Sequence, residues 1–200
     1  MSVEEIEPRR KSIRLKEYDY SQPGAYFVTI CTQNRECLFG QISNEKMILN
    51  DAGKMIEKWY HETQNKFPDT ICDEYIIMPN HFHAVIMKVG ADLCVCPEHG
   101  SYPDAPEGEH IGSPLPQIMQ WFKTMTTNEY IRGVKQHGWP SFPGKFWQRN
   151  YFERVIRDED ELNRIREYII NNPLKWEEDK DNPQNWYSHT KNSLGELKLR

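Results

Sequence analysis

Apolar and polar positions alternate through Ala25-Tyr-Phe-Val-Thr-Ile-Cys-Thr32, a run rich in β-branched and aromatic residues that follows the turn pair Pro23-Gly24. A period of two predicts a first strand. The period then changes. Asn50-Asp51 offers a helix cap, and Met55, Ile56, Trp59 and Tyr60 recur at helical spacing until Pro68, which predicts a helix over roughly 51 to 66. Two further apolar runs, Thr70 to Met78 and His81 to Val89, are separated only by Pro79-Asn80. That pair is turn chemistry, so a hairpin is predicted with its corner just ahead of His81.

The apolar positions Ile118, Met119, Phe122, Met125 and Ile131 place a second helix from Leu115 to about Lys135, ended by Gly138-Trp-Pro140 and Pro143-Gly144. Phe146 to Ile156 reads as a fourth strand. Asp158 and Glu161 then form a capping-box pair that opens a third helix through about Asn171, stopped by Pro173. The order βαββαβα predicts an α+β, ferredoxin-like fold, a mainly antiparallel sheet with helices packed on it. One domain is expected over residues 20 to 176, with a basic arm at 1 to 19 and a tail at 177 to 200. Within it, Gly90 to Pro114 has five acidic residues, no Lys or Arg and no periodicity, and reads as a loop insertion.

Composition narrows the class. Of 200 residues 38% are apolar, enough for one compact core. No long apolar run or h-region is present, so no membrane span or secretory signal is expected, and a cytoplasmic location follows as an expectation. Five cysteines without framework spacing suit reduced thiols. Cys94-Val-Cys96, with His99 and His110 nearby, lacks the paired spacing of structural zinc.

A formal charge of −5 argues against coating duplex DNA by bulk electrostatics. Its distribution is uneven, however. From Gln117 to Arg157 seven basic residues face two acidic ones, and Pro8 to Lys16 holds five basic residues and no acid. A basic face on an acidic protein and a solvated helix surface both fit these counts. Lys145, Trp147, Arg149, Arg154 and Arg157 belong to a stretch where cations alternate with aromatics, a mixture suited to phosphate pairing and base stacking on nucleic acid. The same aromatics also fit an ordinary core.

The candidate chemistry begins with His81-Phe82-His83. On a strand the two imidazoles project from one face, so both can approach a single divalent ion. Tyr168 and Asn172 stand four residues apart, which on a helix makes them neighbours and sets an amide oxygen beside a phenol. Phenol is a weak nucleophile at neutral pH and needs activation. Each feature alone has a plain alternative: two polar surface histidines, and a boundary tyrosine beside Ile165 and Ile169. Tyr151 is the second-ranked nucleophile.

Three separated segments carry a resemblance. Tyr75-Ile-Ile-Met-Pro-Asn-His-Phe-His-Ala-Val-Ile86 resembles the His-hydrophobic-His segment of the single-tyrosine HUH transposases. Phe146-Trp-Gln-Arg-Asn-Tyr-Phe-Glu-Arg-Val-Ile-Arg157 and Tyr168-Ile-Ile-Asn-Asn-Pro-Leu-Lys175 resemble the REP-associated tyrosine transposase branch of that superfamily. The resemblance implies a ferredoxin-like endonuclease that recognises hairpin-forming repeats and cuts an adjoining single strand through a 5′-phosphotyrosine. Tyr168 would be the nucleophile. His81, His83 and Asn172 would hold Mg²⁺ or Mn²⁺, although insertion-sequence relatives commonly carry Gln where Asn172 stands. The implied partner is single-stranded DNA with a hairpin, bound by a monomer or homodimer. Two other classes stay open: a DNA-hairpin-binding regulator without catalysis, and a nuclease that uses water instead of tyrosine.

Overall fold

The computed structural model describes residues 19–89 and 113–185. The basic arm through Tyr18 and the Cys94/Cys96 segment with His99 and His110 lie outside the described residues. Strand β1 (Gly24–Cys31), helix α1 (Asp51–Lys66), strands β4 (Thr70–Ile77) and β5 (His81–Lys88), helix α2 (Leu115–His137), strand β6 (Phe152–Ile156) and helix α3 (Glu159–Ile170) follow in the expected order. Between β1 and α1 stand two more strands, β2 (Gly40–Ser43) and β3 (Lys46–Leu49).

The main sheet has the order β4-β5-β1-β6, every neighbouring pair antiparallel. This is the ferredoxin-like arrangement the sequence predicts: β1 and β4 are joined through α1, and β5 lies between them. Alternation along β1 sorts the two faces. Tyr26, Val28 and Ile30 are fully buried, and with Phe82, Ala84 and Ile86 of β5 they meet α1 and α2. Phe27, Val85 and Ile156 point the other way and pack under Ile169, Leu162 and Ile165 of α3. The sheet therefore separates a thick core from a thin one, and a period of two sends alternate residues to each.

Local chemistry sets the helix starts. Asn50 Oδ1 accepts from the Gly53 backbone N–H at 2.9 Å, and Asp158 Oδ1 from that of Glu161 at 2.7 Å. Each satisfies an N–H that the first helical turn leaves free. Glu161 also accepts from the N–H of Arg157, the residue before the cap, at 2.9 Å, a variant of the capping box.

Two expectations need correction. The β2–β3 hairpin was not expected. Its two-residue turn is Asn44-Glu45, both at positive φ (50° and 60°); glutamate there supplies none of the Asn-Gly or Asp-Gly signal by which such turns are recognised. The fourth strand is also shorter than Phe146 to Ile156. Trp147 makes one isolated bridge to Thr32, and only from Phe152 does the ladder resume. Between them the Lys123 ammonium takes the carbonyls of Gln148 (2.6 Å) and Arg149 (3.1 Å). Those oxygens bond to a side chain of α2, and the chain leaves the sheet there.

Candidate active site

The thin core ends in a cluster of rings at one end of the sheet. His81 and His83 project from the same face of β5, centroids 4.6 Å apart. Phe27 of β1 stacks on His83 at 5.5 Å, and Tyr168 of α3 meets His83 edge-on at 5.4 Å. Phe27 also touches Tyr168 at 6.0 Å. The two histidines and the tyrosine singled out from sequence thus come together within one chain, although 85 residues of numbering separate His83 from Tyr168.

Both imidazoles are anchored through Nδ1. The Nδ2 of Asn80 donates to the backbone oxygens of Arg35 (2.9 Å) and Asp181 (2.7 Å), which spends its two hydrogens. Its Oδ1 can therefore only accept, and it lies 2.9 Å from Nδ1 of His81. The His81 proton must sit on Nδ1, leaving Nε2 with a bare lone pair. That Nε2 is buried and makes no hydrogen bond; Asp179 Oδ2 stands 3.9 Å from it, too far for one. On β1, Thr29 Oγ1 lies 2.7 Å from Nδ1 of His83, so that ring is held in the same manner.

Asn172 occupies the remaining side. α3 stops at Ile170, and Asn172 opens a 3-10 turn, Asn172–Glu178. It nevertheless lies beside both the His81 ring and the Tyr168 phenol. Asn172 is 3% exposed, and its Oδ1 has no hydrogen-bond partner among the described residues. A buried unsatisfied acceptor costs about 1–3 kcal/mol, and here two of them, an imidazole nitrogen and an amide oxygen, belong to neighbouring side chains. An imidazole nitrogen and an amide oxygen are donors that could serve a cation. Among the described residues no group of three His, Cys, Asp or Glu side chains could hold a metal, so a third protein ligand would be the amide.

Burial acts on every titratable group here. It pushes His81 down to about 3, aided by the positive charges of Arg35 and Lys180 and opposed by Asn172. His83 is likewise pushed well below its usual value, first by burial and then by His81 and Lys180. Both rings are neutral at physiological pH, the form that ligates metal. Tyr168, 44% exposed, has its phenol pushed up by burial, with the Asn172 amide pulling it back.

The expected DNA-contacting residues are dispersed. Lys145 and Arg149 are exposed on the segment between α2 and β6, and Arg157 is exposed before α3. Arg154 is exposed and ion-paired with Glu161. Trp147 is 4% exposed and donates its indole N–H to Thr126 Oγ1 at 2.9 Å, so it packs as core. Tyr151 packs on the α1/α2 side, across the sheet from the histidines.

Sequence reasoning did not single out Thr29, Asn80 or the residues after 176. Thr29 looks like any β-branched strand residue and Asn80 like a turn former. Trp176 approaches His81 with centroids 6.1 Å apart, and Asp181, 5% exposed, pairs with Arg35 at 2.7 Å. No periodicity announced that packing.

No family model matches the chain. An uncharacterized protein of Haemophilus influenzae is 39% identical over 175 residues, covering 85% of this chain and 91% of that one. A REP-associated tyrosine transposase solved bound to a REP hairpin is 15% identical, with a TM-score of 0.54 over 83% of this chain and 74% of that one. The chain belongs to one family with the Haemophilus protein, and its fold is that of the REP-associated tyrosine transposases.

Proposed function

We propose that this chain is a metal-dependent endonuclease and strand transferase that cuts single-stranded DNA beside hairpin-forming repeats, with Tyr168 as the nucleophile. The observation that carries the reading is the meeting of Tyr168 with His83 beside two buried, unsatisfied atoms, His81 Nε2 and Asn172 Oδ1. Those atoms, with a nitrogen of His83, would hold Mg²⁺ or Mn²⁺. Such an ion, when bound, stabilises charge on phosphate oxygens.

The chain's own residues do the rest. Asn80 and Thr29 fix the two imidazoles, the role played by the outer hydrogen bonds of metal-ligating histidines. Phe27 sets the spacing between His83 and the phenol. The Tyr168 oxygen attacks the phosphorus in line, forming a P–O bond to tyrosine as the bond to the 3′ oxygen breaks. The phenol proton passes to solvent, and the departing oxygen takes up a proton as a free 3′-hydroxyl. Religation is the reverse, with the hydroxyl attacking the phosphotyrosine.

The hairpin in the substrate class rests on the solved neighbour, whose complex holds one. The test is incubation with a labelled hairpin carrying a single-stranded flank, with Mg²⁺ or Mn²⁺, followed by denaturing electrophoresis. A covalent adduct that depends on the ion supports the reading. Hairpin binding without cleavage would instead indicate a regulator, and cleavage without an adduct a water-using nuclease.

A further inference from the structure

A second surface lies beside α2. There the exposed side chains Gln117, Gln120, Thr124 and Asn128 succeed one another at steps of three and four residues, which lines them up on one helix face. Opposite them stand Lys145 and Arg149, both exposed. Between these walls runs an open groove of about 1040 Å³. Among the described residues no carboxylate lines it, although the chain carries a net charge of −5. Lys123 braces the cationic wall from α2 through its bonds to the carbonyls of Gln148 and Arg149.

We propose that this groove binds single-stranded DNA, Lys145 and Arg149 taking phosphates and Gln117, Gln120 and Asn128 reading base edges, so that it selects the sequence next to the cleaved bond. The choice of DNA rests on the reading given above. Guanidinium and ammonium groups without a carboxylate partner suit a polyanion. The facing stripe adds different chemistry: a primary amide presents a donor and an acceptor together, the pair that matches a base edge, adenine above all. Three such amides on one face serve base recognition better than charge attraction. Duplex DNA does not fit, because the face of α2 that carries the amides is the wall of the groove and cannot enter a major groove itself.

The groove's cationic wall also reaches the end of the sheet that carries the histidines, on the face opposite theirs. The Gln148 N–H donates to the Cys31 carbonyl at 2.9 Å, Trp147 bridges to Thr32, and Cys31 lies opposite His81 in the ladder. Two strand spacings, about 10 Å, therefore separate the groove's cationic wall from β5 at His81. A strand leaving the groove at that end would round the edge of the sheet to meet Tyr168 on the other face.

The test is fluorescence anisotropy of the full chain with short labelled dA, dT, dC and dG oligomers and their RNA counterparts across a salt series. The double variant Lys145→Ala/Arg149→Ala is expected to weaken binding to every DNA oligomer tenfold or more. It should also flatten the plot of log affinity against log salt by about 1.4, or about 0.7 per lost phosphate contact. The triple variant Gln117→Ala/Gln120→Ala/Asn128→Ala should keep the salt slope and shrink the spread among bases at least fivefold. All five side chains are exposed, so unchanged circular dichroism and melting are expected, and each preparation is checked for both. An unchanged spread among bases in the triple variant, an unchanged slope in the double variant, or tighter binding to RNA than to DNA overturns the proposal. Adduct yield measured in parallel keeps the two readings apart. Normal adducts without either groove effect sink the groove alone, whereas both groove effects without any adduct sink the tyrosine reading alone.

Discussion

Arg166 on α3 grips Asp73 on β4 through two hydrogen bonds, Nε to Oδ1 at 2.7 Å and Nη2 to Oδ2 at 2.5 Å. The pair ties the helix that carries Tyr168 to the edge strand next to the one that carries the histidines. Arg166 holds the Asp73 carboxyl below its usual value of 3.8, with burial opposing. Since the folded value lies under the unfolded one, the stabilisation is complete above about pH 4 and disappears as pH falls through the folded value. Acid should therefore loosen α3, and Asp73→Asn should loosen it at neutral pH. With Arg166 about a third exposed, the loss is about 1–2 kcal/mol after allowance for solvent screening. Hydrogen exchange of the α3 amides is the measurement: faster exchange in Asp73→Asn, without the acid dependence of the unaltered chain, is expected. Identical exchange in both would remove the latch.

Thr29 tests the anchoring of His83. Thr29→Val keeps the shape of the side chain and removes the oxygen 2.7 Å from Nδ1. Loss of such an outer contact weakens metal binding about 10–100-fold. Titration with Mn²⁺, followed by calorimetry or by its paramagnetic signal, should show that drop with the melting temperature nearly unchanged. Unaltered affinity would mean that the hydroxyl does not hold the ring.

Gly133 lies in α2 where no positive φ requires glycine. A Cβ there would stand 2.2 Å from Cε3 and 2.3 Å from Cδ2 of Trp139, whose ring packs on Tyr130 at 5.2 Å. Alanine improves helix propensity by about 1 kcal/mol, but overpacking of this kind costs about 1–3 kcal/mol, and the fused ring cannot swing away as a flexible chain would. Gly133→Ala is expected to lower the melting temperature by a few degrees. A rise would show that Trp139 yields freely.

The main sheet was legible because its strands obey a period of two, and α1 because its apolar positions follow 3.6. That the two histidines share one face of a strand was legible from their spacing, and that Tyr168 and Asn172 are neighbours from their four-residue step, but Tyr168 was singled out by the family resemblance. What escaped was contact between distant segments. Nothing local in Asn80 reveals that its amide is claimed by Arg35 and Asp181 and so dictates the His81 tautomer. The break in the expected fourth strand after Phe146-Trp147 depends on Lys123, more than twenty residues earlier. Asn172 lies beside Tyr168 as expected, yet it does so after the helix has ended, so the right neighbour came from a spacing rule that no longer strictly applied.

The central claim is tested most directly by locating the covalent bond. The chain is incubated with the flanked hairpin and Mn²⁺, digested with protease and nuclease, and its peptides are sequenced by mass spectrometry. The account predicts a nucleotide-phosphate adduct on Tyr168 that vanishes in Tyr168→Phe while the variant still binds the hairpin. An adduct on Tyr151, or one that persists in Tyr168→Phe, would contradict it.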